Sequence, residues 1–253
     1  MLYGGHARNL DDITFLRDHH FDFGEVILDG PDSRAYWGDR YGGRINNGEF
    51  HLVAHGPHEG DPNSLDNLLN NYCPALEATV DTTVMIGANL LTAHLWMDPR
   101  FVSQKILHEK RSALERLFVY AQNRGVILSL ENLSESASDM EFALSNIPNG
   151  SITLDIGHGQ LLTTTNRAFG IIERLASNVR HVHIHDNSGG DGVKDDLHLP
   201  VGDGIIDFEG IIRYLLSSGY DNTMTLELKR HELEVSRMKL NQIVDRVRAN
   251  LVA

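Results

Sequence analysis

The sequence predicts a single (β/α)8 TIM barrel of the α/β class that spans residues 1–253. Eight short apolar runs of β type alternate with helical patterns along the whole chain. The length of 253 residues is that of one such barrel. An open doubly wound sheet is the alternative, and it has weaker support because no glycine-rich phosphate turn follows the first strand.

The strands are predicted from short runs rich in β-branched and other apolar residues. Each is separated from the next by enough chain to form a crossover helix, so the pattern favours a parallel sheet. We expect strands at residues 2–5, 24–28, 51–54, 89–93, 126–130, 151–154, 181–184 and 224–228.

Several helices have readable ends. Ser138 with Glu141 has the spacing of a capping box. Asp207 is a predicted N-cap, and Gly219 is the predicted stop of the same helix. The apolar spacing across residues 101–124 predicts a long amphipathic helix.

The composition excludes several classes of protein. A single cysteine, Cys73, excludes an internal disulfide and fits a reducing compartment. No apolar run approaches the roughly 20 residues that a membrane span needs. The net charge of −13 disfavours nucleic acid and anionic membranes as partners, although a local basic groove could overcome it. We therefore expect a soluble, cytoplasmic protein, and no oligomeric state follows from the sequence.

Histidines and carboxylates gather where the predicted strands end. Such side chains, with no cysteine among them, are typical of a site for a borderline or hard divalent metal, and zinc or manganese is expected. The nine candidates are His55, His94, Glu131, Asp155, His158, His183, Asp196, His198 and Glu227.

Three histidines alternate along the seventh strand. His181, His183 and His185 share one face, because successive side chains of a strand point to opposite sides. Three histidines on one inward face are hard to explain as core packing. We expect His183 to be the ligand and His185 to support it or to contact the substrate.

Four other candidates also have ordinary structural interpretations. Asp196 and His198 could belong to a solvated acidic loop. Glu131 and Glu227 each end an apolar strand, where a glutamate is costly to bury unless it is paired or bound to metal. Ordinary ion pairing is the structural alternative for both.

Two long, glycine-containing segments follow strands, at 30–49 and 187–204. In a barrel both lie at the catalytic end. The first combines arginines with aromatic residues, which suits phosphate binding and stacking on a sugar. Its glycines would let it move as a lid, and the alternative is an ordinary surface loop. The predicted substrate-binding residues there are Arg34, Arg40, Arg44 and Trp37.

Taken together, the motifs resemble those of the xylose isomerase-like TIM-barrel proteins. The matching segments are E-N-L from Glu131, D-I-G-H from Asp155, H-I-H-D-N from His183, D-L-H-L-P-V-G-D-G-I-I-D-F from Asp196, and the L-E-L around Glu227. This superfamily includes sugar and sugar-phosphate isomerases and epimerases, inosose dehydratases and endonuclease IV. The combination is specific for the superfamily and not for one reaction.

The resemblance implies a core metal site made by Glu131, Asp155, His183 and Glu227. In the isomerase and epimerase branches the two glutamates also act as acid and base on either face of the substrate. In the endonuclease IV branch three zinc ions are held by nine residues, which match the nine candidates. One to three divalent metals are therefore implied. With one metal, we expect His158 and His198 to contact the substrate instead, which makes His158 a third catalytic candidate.

Three functions compete. A metal-dependent isomerase or epimerase of a small sugar or sugar phosphate is the leading interpretation. The first alternative is an endonuclease IV-like phosphodiester or phosphoester hydrolase, and the second is a non-catalytic relative that binds metal or sugar. The acidic net charge and the acidic segment H-G-P-H-E-G-D after His55 argue against a DNA-handling surface.

Overall fold

The computed structural model describes residues 1–41 and 50–252 of the chain. Eight parallel strands close into a barrel in sequence order, each paired with the next and β8 paired with β1. The strands are β1 Leu2–Ala7, β2 Phe23–Ile27, β3 His51–His55, β4 Leu90–Ala93, β5 Ile127–Glu131, β6 Ser151–Asp155, β7 Val179–Ile184 and β8 Thr223–Leu226. The predicted fold class is confirmed, and each strand overlaps its predicted range.

Helices cover the outside of the barrel, and the main apolar core lies between them and the strands. A short helical stretch, 65–72, leads into α3. Among the described residues no helix combines the length and the apolar character that crossing a membrane would need. The main helices are α1 Leu10–Asp18, α2 Pro31–Tyr41, α3 Cys73–Met85, α4 Gln104–Gln122, α5 Ala137–Leu144, α6 Ala168–Leu175, α7 Phe208–Ser217 and α8 Leu233–Val252.

Two of the predicted helix boundaries are confirmed. The Asp207 side chain accepts a hydrogen bond from the backbone N–H of Gly210 and so caps α7. Gly219, just beyond the end of α7, has φ +83°, a conformation that glycine adopts without steric cost. The long helix predicted within 101–124 is α4.

The predicted capping box of α5 is wrong by two residues. Ser136 is the N-cap, and it exchanges hydrogen bonds with Asp139, whose carboxylate accepts from the Ser136 backbone N–H. Ser138 and Glu141 instead both accept hydrogen bonds from Arg174 on α6. Two overlapping pairs in the sequence have the capping spacing, and the contact with the neighbouring helix decides which one caps.

The segment predicted as a lid loop begins as a helix, which corrects that prediction. Residues 31–41 form α2, with Pro31 in the first turn, where a missing N–H costs nothing. Ser33 closes its start by accepting a hydrogen bond from the Gly30 backbone N–H. Trp37 is fully buried in the core, which fixes the helix against the barrel. Arg44 and the side chain of Arg40 lie outside the described residues.

The long connection between β7 and α7 is folded around one buried carboxylate. Asp186 accepts hydrogen bonds from the backbone N–H groups of Asn187, Gly202, Gly204 and Ile206. These donors come from both ends of the connection. The chain between them is therefore held as a closed loop over the carboxyl ends of the strands.

Candidate active site

The nine candidate residues converge at the carboxyl ends of the strands. His55, Glu131 and Asp155 are the last residues of β3, β5 and β6, and His183 is the penultimate residue of β7. His94 and Glu227 directly follow β4 and β8. His158 lies in the turn after β6, and Asp196 and His198 lie in the loop after β7. The closed parallel sheet brings these positions to one end of the barrel, as the sequence predicts.

Glu131 lies at the centre of the floor of the site. One carboxylate oxygen, Oε2, is 2.6 Å from Nε2 of His94 and 4.0 Å from Nε2 of His55. The other, Oε1, is 3.4 Å from Nδ1 of His183 and 3.1 Å from Nδ1 of His158. Glu131 could therefore bridge two adjacent groups of ligands.

A second group surrounds His183. Its Nδ1 atom is 2.9 Å from Oε1 of Glu227 and 3.8 Å from Oδ2 of Asp155. Because Nδ1 of His183 also approaches Glu131, the carboxylates from β5, β6 and β8 all reach the same imidazole nitrogen. Glu131 and Glu227 thus lie at the same end of the barrel.

A third group lies nearer the mouth. Oδ2 of Asp196 is 3.3 Å from Nε2 of His158 and 3.2 Å from Nε2 of His198. His198 has φ +46°, a left-handed conformation that is uncommon outside glycine and often marks functional positions. His185 packs its ring flat against that of His198, with centroids 3.9 Å apart. The i, i+2 pair predicted from D-L-H does meet on one side.

The hydrogen bonding of these atoms provides a test of whether metal fits. Several buried side-chain atoms approach one another closely yet make no hydrogen bond of acceptable geometry within the described residues. Buried polar atoms normally find partners, so a converging set without them fits the ligand shell of a cation. These atoms include both oxygens of Glu131, Oδ2 of Asp155, Nδ1 of His183, Oδ1 of Asp196 and Oε1 of Glu227.

The donor types agree with that geometry. Three ligand groups, each with atoms within 4.8 Å of one another, can be drawn from the site. They contain imidazole nitrogens and carboxylate oxygens and no sulfur, a set that suits zinc or manganese. The three groups are His55, His94 and Glu131; then Glu131, Asp155 and His183; and lastly His158, His185, Asp196 and His198.

The protonation states at the floor of the site favour the binding of a cation. Burial by itself would raise the pKa of Glu131, but His94 and His183 hold that pKa well below its ordinary value. In the same way, His183 and His6 hold down the pKa of Glu227 against the effect of burial. Burial and the neighbouring His94 lower the pKa of His55 to about 3, so its ring is neutral and can donate a lone pair. The two glutamates are therefore ionised at neutral pH.

Three residues that sequence reasoning missed also belong to the site. Nε2 of His6 is 3.0 Å from Oε1 of Glu227, and the ring of His58 stacks on His94 with centroids 4.8 Å apart. Glu25 is fully buried between β2 and β7. The signal for Glu25 was present, because a carboxylate inside the apolar run 23–27 needs a partner. His6 fell just beyond the predicted end of β1.

Above the floor lies a pocket of about 510 Å³. Its wall combines apolar side chains such as Phe15 and Leu228 with three cationic ones, Arg8, Lys229 and Arg230. Seven of the nine candidate residues line it, and Asp155 and His183 lie beneath them. The volume suits a small molecule.

The predicted substrate-binding residues are placed less favourably. Trp37 is 0% exposed in the core, and neither Trp37 nor Arg34 is part of the pocket wall. His185 is also fully buried, with Nε2 3.2 Å from Oδ1 of Asp155. His185 is thus a partner of Asp155 and a member of the third possible ligand group, and it is not part of the pocket wall. That His185 touches substrate stays a prediction.

The ring of His185 explains the glycine in D-I-G-H. A side chain at Gly157 would place its Cβ 2.0 Å from that ring, so only glycine fits. The packing of His185 thus fixes the turn that carries Asp155 and His158.

Comparisons with known proteins agree with this arrangement. An uncharacterised protein of Methanocaldococcus jannaschii is 24% identical over 239 residues, which cover 85% of this chain and 77% of that protein. Fructoselysine 3-epimerase of Escherichia coli O157:H7 is 27% identical over 145 residues, 54% of this chain and only 51% of the epimerase.

Solved structures share the fold over almost the whole chain. A D-tagatose 3-epimerase-like protein superposes with a TM-score of 0.81 at 24% identity, covering 99% of this chain and 100% of its own. A Thermus thermophilus protein soaked with ZnCl2 gives a TM-score of 0.74 at 21% identity, covering 97% of this chain and 99% of its own.

A family profile covers nearly the same extent. The profile described as xylose isomerase-like TIM barrel matches residues 13–249, a range that includes all nine candidate ligand positions. With the closed barrel and the ligand groups at its carboxyl end, that match confirms the resemblance seen in the motifs. The chain belongs to the xylose isomerase-like TIM-barrel family.

Proposed function

We propose that this protein is a divalent-metal-dependent enzyme that isomerises or epimerises a sugar or sugar phosphate. The observation that carries the proposal is the placement of Glu131 and Glu227. Both carboxylates are buried at the floor of the pocket, both are ionised, and both approach the same nitrogen of His183. They come from β5 and β8, which two other strands separate, so they can address a substrate from different sides.

In the proposed reaction the two glutamates transfer protons. One carboxylate removes the proton from a carbon next to a carbonyl group, and the other delivers a proton to the opposite face of that carbon or to its neighbour. Because the reaction removes one proton and returns one, it needs no oxidant or reductant. A bound divalent metal supplies Lewis-acid polarisation of neighbouring substrate oxygens. Glu131, Asp155, His183 and Glu227 are the residues proposed to hold it.

Relatives and pocket size support a sugar as the substrate. Sugar epimerases occur among both the sequence relatives and the structural neighbours, and one neighbour was solved with bound D-allulose. The pocket has room for such a molecule. His158, which lines the wall, is proposed to hydrogen-bond a substrate hydroxyl when a single metal is bound.

One observation favours a second candidate, phosphodiester or phosphoester hydrolysis. The third ligand group, around Asp196, would allow a multi-metal centre, and such centres activate water for attack on phosphorus. Lys229 on the wall would suit a phosphate, whereas Arg8 and Arg230 already pair with Asp29 and Asp12 of the same wall. Metal count distinguishes the two candidates, because one metal suffices for the first.

The test is solvent exchange. Protein stripped by a chelator and reloaded with Mn²⁺ or Zn²⁺ is incubated in D2O with a panel of ketoses and their phosphates. We expect deuterium at the epimerised carbon only with metal present, and we expect Glu131→Gln to lose it. Glu141→Gln, an exposed carboxylate that pairs with Arg174, is the matched control and should remain active.

Three outcomes would count against the proposal. They are undiminished exchange after complete chelation, full exchange in Glu131→Gln, or no exchange with any sugar while an abasic-site oligonucleotide or a simple phosphodiester is cleaved. The last result, together with about three metals per chain by elemental analysis, would establish the second candidate instead.

A further inference from the structure

Beneath the pocket floor, a buried carboxylate contacts two histidines of β7. Oε1 of Glu25 is 3.1 Å from Nε2 of His183, and Oε2 of Glu25 is 3.3 Å from Nε2 of His181. All three side chains are 0% exposed. A carboxylate in such a place is tolerated only when both of its oxygens are engaged.

The two ring nitrogens of His183 face different surroundings. Nε2 points down to Glu25, whereas Nδ1 points up toward Glu131, Asp155 and Glu227. A carboxylate that carries no proton can only accept a hydrogen bond, so the contact with Glu25 places a proton on Nε2 of His183. The carboxylates around Nδ1 favour positive charge there, either a second proton or a bound cation. While Nε2–H stays on Glu25, Nδ1 is the nitrogen that can ligate a metal.

The partner histidine is fixed in a matching way. Nδ1 of His181 is 2.7 Å from Oγ1 of Thr223, and its Nε2 is also 3.0 Å from Oγ1 of Thr225. Threonine hydroxyls can donate or accept, so they can adapt to either form of His181. Among Glu25, His181, Thr223 and Thr225, the ionised carboxylate of Glu25 is the group that cannot donate a hydrogen bond. It therefore sets the direction of the hydrogen bonds that it makes.

We propose that Glu25 is a positioning residue that holds His183 as the Nε2–H tautomer, with Nδ1 as its metal-ligating atom. This inference rests on the metal site of the proposed function and assigns a role to a residue below that site. Histidine ligands commonly donate their second N–H to a carboxylate, which orients the ring and raises its basicity.

The first experiment is made on the zinc-loaded wild-type protein. The ¹⁵N chemical shifts of the His183 imidazole are assigned by their loss in His183→Gln. We expect a proton on Nε2 and the shift of a metal-bound nitrogen at Nδ1. Zinc on Nε2, with the proton on Nδ1, would overturn the proposal without any variant at Glu25 having to fold.

The second experiment compares variants of Glu25 and Thr223 by competition with a chelator for Zn²⁺. Glu25→Gln keeps the shape of the side chain and removes its charge, and we expect its zinc affinity to fall about 10- to 100-fold. We also expect the ¹⁵N shift of the His183 Nε2 to move in zinc-loaded Glu25→Gln, because that N–H then meets a neutral amide instead of a carboxylate. Thr223→Val removes a hydrogen bond from the same layer without touching His183, so it should leave both readouts unchanged.

The measurements on wild type and on Glu25→Gln distinguish a missing metal site from a Glu25 that has no positioning role. Wild-type protein that binds no zinc would remove the site itself, whatever the tautomer. Wild-type protein that binds zinc, with a folded Glu25→Gln variant of equal affinity and unchanged shifts, would leave the site in place and reduce Glu25 to a structural residue.

Discussion

The barrel buries two groups of charged side chains that differ in how their atoms are partnered. The floor cluster, defined here as Glu131, Asp155, His183 and Glu227, presents oxygens and a nitrogen that find no hydrogen bond of acceptable geometry. The loop network, defined as Glu59, Lys110, Glu135, Asp98 and Arg100, lies beyond the ends of β3, β4 and β5, and Lys110 reaches it from α4. All of its members except the exposed Arg100 are buried.

The charges of the loop network find their partners within the protein, although Oε1 of Glu59 meets Lys110 as an ion pair without a hydrogen bond of acceptable geometry. Nζ of Lys110 is 2.6 Å from Oε1 of Glu59 and donates to the backbone oxygen of Trp96 at 2.8 Å. The carboxylate of Glu135 accepts three backbone N–H groups, from Met97, Leu133 and Ser134. The charges of the loop network therefore act on the protein itself by fixing the loops beyond the strands.

The difference shows how to distinguish a binding site from a structural network when both are buried and charged. Removing one partner of a satisfied network leaves an uncompensated charge, so stability falls. Removing one member of the floor cluster removes a proposed ligand or proton-transferring group, so activity is expected to fall far more than stability. Three substitutions test this distinction, in order of expected effect.

The largest effect is expected for Glu227→Gln. We predict that sugar exchange falls by about a thousandfold or more, because a proton-transferring group and a metal ligand are lost together. Because His183 and His6 stabilise the charge of Glu227, the free energy of unfolding of the metal-free protein should also fall, by about 1–3 kcal/mol. Exchange kinetics and urea denaturation of the same samples measure the two quantities. Full exchange in a destabilised variant would move Glu227 into the structural class.

Next is Lys110→Met, which leaves Glu59 buried without its cation. We expect a loss of about 3–5 kcal/mol of stability, the usual result of breaking a buried ion pair. The double variant Lys110→Met/Glu59→Gln should recover part of that loss, because it removes the stranded charge. Equal stability of the single and double variants would show that the pair is not coupled. Urea midpoints of wild type, the two single variants and the double variant give the answer.

The smallest effect is expected for Asp98→Asn, at about 2 kcal/mol from lost charge-assisted hydrogen bonds. Burial would raise the pKa of Asp98, but hydrogen bonds from Arg100 and Ser134 hold it below its ordinary value of 3.8. A depressed pKa adds stability above the unfolded value, and that stability is lost as the pH falls through the folded one. The difference between wild type and variant should therefore be constant near neutrality and shrink below about pH 4. Thermal unfolding across this range would detect a difference that instead grows in acid.

The barrel could be predicted from the sequence because each strand combines an apolar run with a polar end. Val182 and Ile184 face the helices while His181 and His183 face inward, an alternation that can be read directly from the residues. The convergence of the nine candidate residues followed because parallel strands all end at the same side; their role as metal ligands stays a prediction.

What could not be read from the sequence depends on contacts between distant parts of the chain. Glu25 is 158 residues from His183, so its role appears only when β2 and β7 are both in the barrel. Trp37 looked like a stacking residue beside glycines, but burial against the barrel placed it in the core. The choice between Ser136 and Ser138 as the cap of α5 was made by Arg174 on another helix.

Asp186 holds the two ends of the β7–α7 connection together, and this affects how related proteins can differ in that loop. Both ends of that connection are tied to one carboxylate, so the residues between them can change in sequence or length while the strands keep their positions. Asp196 and His198, which complete the third ligand group, lie within this exchangeable stretch. Changes within this one loop, during evolution or by design, could therefore add or remove the third candidate ligand group while the floor cluster keeps its geometry.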